Sequence, residues 1–439
     1  MLPKLADGIF HFEKSEKQLF LVPDRPDWIV VNTNGAILLF ACDGTRNEED
    51  IIASFGLSDQ ARLDAKKLFA RARERGVLQS EDQGGDTSLA PASRKPTGVT
   101  PLRTVHIEMS DGCNLRCKYC YAKCGKSSNM ISAETLDNIL DEVGAISDFV
   151  EFVLSGGEPL LNPHTLDFAE KAAAAGDFVH LLTNGTLIDS DKIAKRIAAS
   201  AKLVKISIDG STEAIHSITR GKGNFDRVIR GANLLIDVGA NVTIAMVVTS
   251  KNKDDIAAMS ERWGGRLNFQ PLFPAGRGKG RSDLAISGGE YYGAMAAVRG
   301  VAPMARVGAT LESLRGRGVK KCALADREIS ISATGDVYPC QLLHAPEFLA
   351  GNIRERPLRE IYRESDALKR ARGVTIDTLE KCSRCPIRLL CAGGCRARDY
   401  YEVGSIENVG EFCEYEQLAF INALFDNSEL ADMASEERQ

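Results

Sequence analysis

At 439 residues the chain has room for about three domains of ordinary size. With 44% hydrophobic and 26% charged residues it can bury real cores, which excludes a disordered or fibrous chain. A net charge of −5 argues against a nucleic-acid partner, and the longest apolar run, Ala36 to Cys42, is far too short to span a bilayer. The first residues lack the continuous apolar stretch of a secretory signal, so the expected location is cytoplasmic, with no membrane contact.

Residues 1–80 read as one small unit. Strand-like runs at Ile9–Phe12, Leu19–Val22 and Trp28–Val31 precede helices near Asn34–Ala41 and Glu48–Phe55. A longer helix follows, with Ser58 as N-cap and Gly76 placed to end it. Residues 81–100, rich in Gly, Ser, Asp and Pro, read as a linker.

From 101 to 300 the rhythm changes. Strand-like runs at Val105–Met109, Val150–Leu154, Val179–Thr183, Leu203–Ile208, Val242–Val248 and Leu267–Leu272 are mostly separated by helical patterns. One helix has Ser132 as its cap and Ile131 with Leu136 as a hydrophobic staple. Six strands at this spacing predict an α/β fold, a parallel sheet curled toward a partial (β/α)6 barrel, with chemistry at the carboxyl ends of the strands. Residues 301–425 are Cys-rich; their short strand pairs, Arg327–Ala333 and Asp336–Cys340, read as held by ligation rather than by a large core. The tail, 426–439, is polar and expected to fray.

The 12 cysteines are clustered, with none between Gly125 and Lys321. In a reducing compartment clustered thiols point to metal or redox chemistry rather than disulfides. Cys42 stands alone and reads as a buried structural thiol. Cys113, Cys117 and Cys120, spaced C-x3-C-x2-C directly after the first strand of the second unit, can hold three corners of an iron–sulfur cube and leave one iron open. Zinc is the competing reading, with Cys124 as a fourth ligand; otherwise Cys124 is a bystander.

Spacing and position resemble the radical S-adenosylmethionine (SAM) superfamily over residues 101–300. The resemblance implies that the open iron chelates SAM, which one electron cleaves to methionine and a 5′-deoxyadenosyl radical. It places Gly156, Gly157 and Glu158 of the GGEP motif at the methionyl amine and Tyr119 at adenine. Ser207 and Asp209 would stand at ribose, Arg220 at the SAM carboxylate, and Asn184 in the pocket lining. The set Cys322-x12-Gly335-x4-Cys340, then Cys382-x2-Cys385-x5-Cys391-x3-Cys395-x17-Cys413, resembles the SPASM extension of certain radical SAM enzymes. That family implies two auxiliary 4Fe–4S clusters, hence three in all. Cys322, Cys340 and Cys395 would hold the first auxiliary cluster; Cys382, Cys385, Cys391 and Cys413 would hold the second. The first set is one ligand short, and His344 is a conceivable substitute. A zinc ribbon is the alternative reading of these cysteines.

Residues 9–78, on the run Val22-Pro23-Asp24-Arg25-Pro26-Asp27-Trp28 with Asn32-Thr33-Asn34-Gly35 and Asp43-Gly44-Thr45, resemble the PqqD-like winged-helix domain. In that group a leader peptide adds as an extra strand. Across residues 1–80, 11 Lys+Arg against 12 Asp+Glu do not favour DNA. Together these likenesses imply a peptide maturase that abstracts hydrogen from a ribosomally made precursor, served by a flavodoxin- or ferredoxin-type electron donor. The alternatives are a sulfatase-maturing or cofactor-synthesising radical SAM enzyme and, outside catalysis, an iron–sulfur electron carrier or zinc scaffold.

Overall fold

The computed structural model describes residues 2–80, 100–122, 124–125, 129–296, 314–316, 318–426 and 430–431. The expected linker lies outside the described residues except for Thr100. Residues 2–80 contain strands β1 (Pro3–Leu5), β2 (Phe10–Lys14), β3 (Lys17–Val22), β4 (Asp27–Asn32) and β5 (Leu78–Ser80). Helices α1 (Thr33–Phe40), α2 (Glu48–Ser54) and α3 (Asp59–Glu74) lie between β4 and β5. Local chemistry starts each helix: the side chains of Asn32, Asn47 and Ser58 accept from Gly35 N, Asp50 N and Ala61 N. Three acidic residues in the first turn of α2 add favourable charge at its N-terminus. β2, β3 and β4 form an antiparallel sheet, and β1 pairs with β5 to join the two ends of the unit.

The sheet is buried on both faces. Phe20, Ile29 and Val31 pack with Leu39, Leu68 and Phe69 of its own helices. Leu19, Leu21, Trp28 and Val30 pack with Leu390, Phe420, Leu424 and Phe425 from the far end of the chain.

The second sheet has nine strands. β6 (Thr104–Ser110), β7 (Glu151–Gly156), β8 (Phe178–Thr183), β9 (Leu203–Ser207), β10 (Val242–Val248) and β11 (Leu267–Pro271) are mutually parallel and adjacent in chain order. Crossovers between parallel strands need helices, and here they are α4 (Ala133–Gly144), α5 (Thr165–Ala174), α6 (Asp191–Ser200), α7 (Glu213–Arg220), α8 (Phe225–Asp237) and α9 (Ile256–Trp263). Ser132 caps α4 through Thr135 N, and Ile131 and Leu136 are both buried beside it. In β6 the apolar residues Val105, Ile107 and Met109 are fully buried in the core, while His106 and Glu108 alternate with them.

Beyond β11, helix α10 (Gly288–Ala296) occupies a stretch whose sequence periodicity is weak. The Cys-rich region corrects one expectation. Its strand β12 (Glu328–Ile331) is not a pair held by ligation alone. It lies parallel to β6 in register Glu328↔Thr104, and Ile329 and Ile331 are fully buried in the main core. β13 (Asp336–Tyr338) and β14 (Gly351–Asn352) follow antiparallel. Helices α11 (Leu358–Glu364), α12 (Asp366–Gly373), α13 (Glu380–Ser383), α14 (Arg388–Cys391), α15 (Arg396–Val403) and α16 (Phe412–Asp426) complete the described helices. Among them none is long and apolar enough to cross a membrane. Two residues of the tail depart from expectation, β15 (Leu430–Ala431) pairing parallel with β4; residues 427–429 and 432–439 lie outside the described residues.

Candidate active site

The loop after β6 carries Cys113, Cys117 and Cys120, all partly exposed, at the carboxyl end of the parallel sheet. Their charges act on one another, so the fold brings the three together. Close backbone approach holds the loop. Gly157 N donates to Ser110 O at 2.7 Å and Glu158 N to Gly112 O at 2.9 Å. A Cβ on Gly157 would lie 2.0 Å from Gly112 O, so only glycine fits. From the other side Arg277 binds the loop: its backbone N donates to Cys120 O at 2.9 Å, Nε to Cys117 O at 2.8 Å and Nη1 to Cys124 O at 2.5 Å. Gly276, at φ +59°, lets that approach occur, because a Cβ there would meet Tyr121 O at 2.2 Å.

Burial pushes the Cys113 thiol up to about 11 and raises Cys117 as well. A hydrogen bond from the Cys124 thiol pulls Cys120 down and pushes Cys124 up. Cys124 is thus buried directly beside the third cysteine of the motif.

Glu158 is fully buried, and burial pushes its carboxyl up to about 6. It accepts from Thr183 Oγ1 at 2.7 Å, Asn184 N at 2.8 Å and Leu160 N at 3.2 Å. Asn184 in turn donates to Asn114 Oδ1 at 2.8 Å and reaches Cys113 Sγ at 4.0 Å. Asp209 was expected at ribose, yet it is fully buried and its oxygens are engaged. They take Tyr119 OH at 2.6 Å, Thr219 Oγ1 at 2.8 Å, Arg220 Nε at 2.8 Å and Val247 N at 3.0 Å. Arg220 also donates to Tyr119 OH. Burial disfavours the Arg220 charge, but Asp209, Tyr119 and Cys117 together more than offset that and hold it protonated, while burial pushes the Tyr119 phenol up. Ser207, at the end of β9, stays half-buried, as do Gly156 and Gly157.

Cys395 lies close enough to act on both Cys322 and Cys340, and burial pushes both of those thiols up, Cys322 to about 12. Glu328 hydrogen-bonds Cys340 and pairs with His106 Nε2 at 3.1 Å. His344 is committed elsewhere: Nε2 lies 2.8 Å from Ser330 Oγ and the ring stacks on Tyr338. Cys382, Cys385, Cys391 and Cys413 line one cavity, with Cys395 at its wall. Among the described residues no three His, Cys, Asp or Glu side chains meet closely enough to share a single ion. A cube takes one thiolate per corner and spaces its ligands more widely than one tetrahedral ion does, so these grouped thiols suit iron–sulfur clusters by donor type.

Sequence reading missed Arg277 and Glu108, the latter with a carboxyl that burial pushes up to about 7 near Cys120. The signal for Glu108 was the alternation of β6, which sets His106 and Glu108 on the face opposite Val105, Ile107 and Met109.

Residues 107–262 match the model of the radical SAM superfamily, and residues 322–386 match SPASM, an iron–sulfur cluster-binding domain. The chain therefore carries a radical SAM domain and a SPASM domain, and these support SAM and iron–sulfur clusters as its cofactors and radical SAM chemistry as its enzyme class. Among curated proteins it is similar to the AdoMet-dependent heme synthase of Methanosarcina barkeri, 28% identical over 71% of this chain and 96% of that protein. It is also similar to the mycofactocin maturase MftC of Mycobacterium tuberculosis, 28% identical over 67% of this chain and 78% of that protein. Of solved structures, anSMEcpe with bound AdoMet superposes at TM-score 0.61 and 23% identity, covering 74% of this chain and 97% of that one. Streptococcus suis SuiB bound to precursor peptide SuiA gives 0.57 and 14%, covering 94% of this chain and 100% of that one. These two likenesses concern the fold.

Proposed function

We propose that this protein is a cytoplasmic peptide maturase. Cys113, Cys117 and Cys120 hold the SAM-binding cluster; Cys322, Cys340 and Cys395, then Cys382, Cys385, Cys391 and Cys413, hold two auxiliary clusters. The observation that carries the reading is the grouping of thiols, three at the carboxyl ends of parallel strands and Cys382, Cys385, Cys391 and Cys413 around one cavity. When bound, the first cluster supplies the electron that cleaves SAM to the hydrogen-abstracting radical. The chain's own residues position that chemistry. Arg277 and Gly157 fix the cysteine loop, Glu158 fixes Asn184, and Asp209 fixes Arg220 and Tyr119 for the cofactor. Gly156, Gly157 and Ser207 remain partly accessible for direct contact.

The antiparallel sheet of residues 2–80 supports a peptide as substrate, because an extended leader can add to a sheet edge. The likeness to MftC supports the same reading, whereas that to the heme synthase favours a small-molecule substrate. The test is anaerobic reconstitution followed by incubation with SAM, reductant and a short peptide encoded beside the gene. Iron near twelve per chain, 5′-deoxyadenosine and a mass change in the peptide are expected, the iron count being about four per cluster. Joint replacement of Cys113, Cys117 and Cys120 by Ala should abolish 5′-deoxyadenosine. Substantial zinc with little iron would refute the assignment.

A further inference from the structure

β4 carries an interior strand's residues at the edge of its three-stranded sheet. Asp27 to Val31 are all buried and only Asn32 is partly open, while β2 at the opposite edge alternates with the exposed His11 and Glu13. A long, apolar, unpaired strand edge invites pairing with another chain, and folds cover such edges. Here the cover comes from the same molecule. Leu430 and Ala431 lie parallel to β4 in register with Val30 and Val31, extending the order to β15-β4-β3-β2.

We infer that β15, Leu430–Ala431, is a built-in competitor that occupies the β4 edge and must leave before an extended peptide can add there. This rests on the reading of residues 2–80 as a leader-binding unit. The strand is short: two of the six residues of β4 are paired, so an incoming peptide able to run the length of β4 can make more main-chain bonds. What keeps so short a strand in place is its tether. α16 ends at Asp426, four residues before Leu430, and is itself fastened to the same sheet. Lys14 Nζ bonds Asp426 Oδ1 at 2.9 Å, Lys17 Nζ donates to Phe425 O at 3.4 Å, and Leu424 and Phe425 pack under Leu19 and Leu21. A short tether gives an effective concentration on the order of millimolar. If the edge is filled in roughly nine molecules of ten, an outside peptide binds with an apparent affinity about tenfold weaker than to the bare edge.

The test needs no knowledge of the substrate. A fluorescent peptide of sequence NSELADMASEERQ, residues 427–439, is titrated into the reconstituted full chain and into a chain ending at Asp426. Binding to the shortened chain about tenfold tighter than to the full one is expected. Hydrogen exchange at the amides of Val30 to Asn32 should speed up on shortening and slow again with the peptide. Leu430→Pro in the full chain, which removes a strand donor, should reproduce the faster exchange with SAM cleavage unchanged. Equal peptide binding to both chains, or exchange at β4 indifferent to shortening and to Leu430→Pro, would overturn the inference. A precursor that binds the shortened chain without protecting β4 would instead overturn the leader reading and leave the occupied edge standing.

Discussion

Cys42 and Gly157 show how a single residue's environment sets its chemistry. Cys42 is 2% exposed, donates to Leu38 O at 3.4 Å, and burial pushes its thiol from 9.0 up to about 12. Raising an acid's pKa disfavours its charged form in the fold, so the native thiolate fraction stays below that of the unfolded chain at every pH under about 12. Alkylation of Cys42 in native protein should therefore stay slow as pH rises to 9, whereas the denatured chain labels readily; peptide mapping after iodoacetamide treatment measures both. Rapid native labelling at pH 8 would contradict the burial. For Gly157→Ala the Cβ placed 2.0 Å from Gly112 O forces the cysteine loop off β7. Iron should fall by roughly four atoms per chain, one cluster's worth, with both auxiliary clusters retained. Much of this site was legible beforehand, since cysteine spacing and GGEP are local patterns. The hydrogen-bond partners of Glu158 and Asp209 were not, because which groups reach a carboxylate is decided by how the fold sets β8, α7 and β10 around it.

Elements repeat the same division. α4 was readable because Ser132, Ile131 and Leu136 start it locally, and β6 to β11 because their spacing demands crossovers. β12 was not: four residues, Glu-Ile-Ser-Ile, give no sign that their partner is a strand more than two hundred residues earlier. Docking of the first unit was hidden for the same reason. Its strand β4 begins at Asp27, 2% exposed, with Arg315 Nη1 at 2.7 Å and Arg25 and Arg75 farther off at 3.5 and 3.6 Å. Arg315 also donates to Trp28 O at 2.8 Å and lies over the Trp28 ring. Removing Arg315 takes away the nearest cation and its bond to Trp28 O while Arg25 and Arg75 stay beside Asp27, so Arg315→Ala should cost about 2 kcal/mol. Urea denaturation should show a lower midpoint with little change in slope; an unchanged midpoint would mean that Arg25 and Arg75 suffice.

For the whole molecule, the decisive feature is that the first sheet is wedged between its own helices and the Cys-rich region. A small unit followed by a linker at 81–100 reads, from sequence, as a module that could be removed without harm to the rest. The packing argues otherwise. Leu19, Leu21, Trp28 and Val30 cover Leu390, Phe420, Leu424 and Phe425, and Leu390 sits in α14 beside Cys391. Deleting residues 1–80 would bare that apolar face, and large exposed patches drive association. The shortened protein should bind a hydrophobic dye strongly, aggregate on concentration and lose iron from the set of Cys382, Cys385, Cys391 and Cys413. Its SAM cleavage should fall with it. A deletion that stays monodisperse, keeps about twelve irons and cleaves SAM normally would show that the unit is only loosely attached. The fair test of peptide recognition is therefore made in the intact fold, by changes confined to the outer edge of β4, where backbone pairing can be altered while the packed faces are left in place.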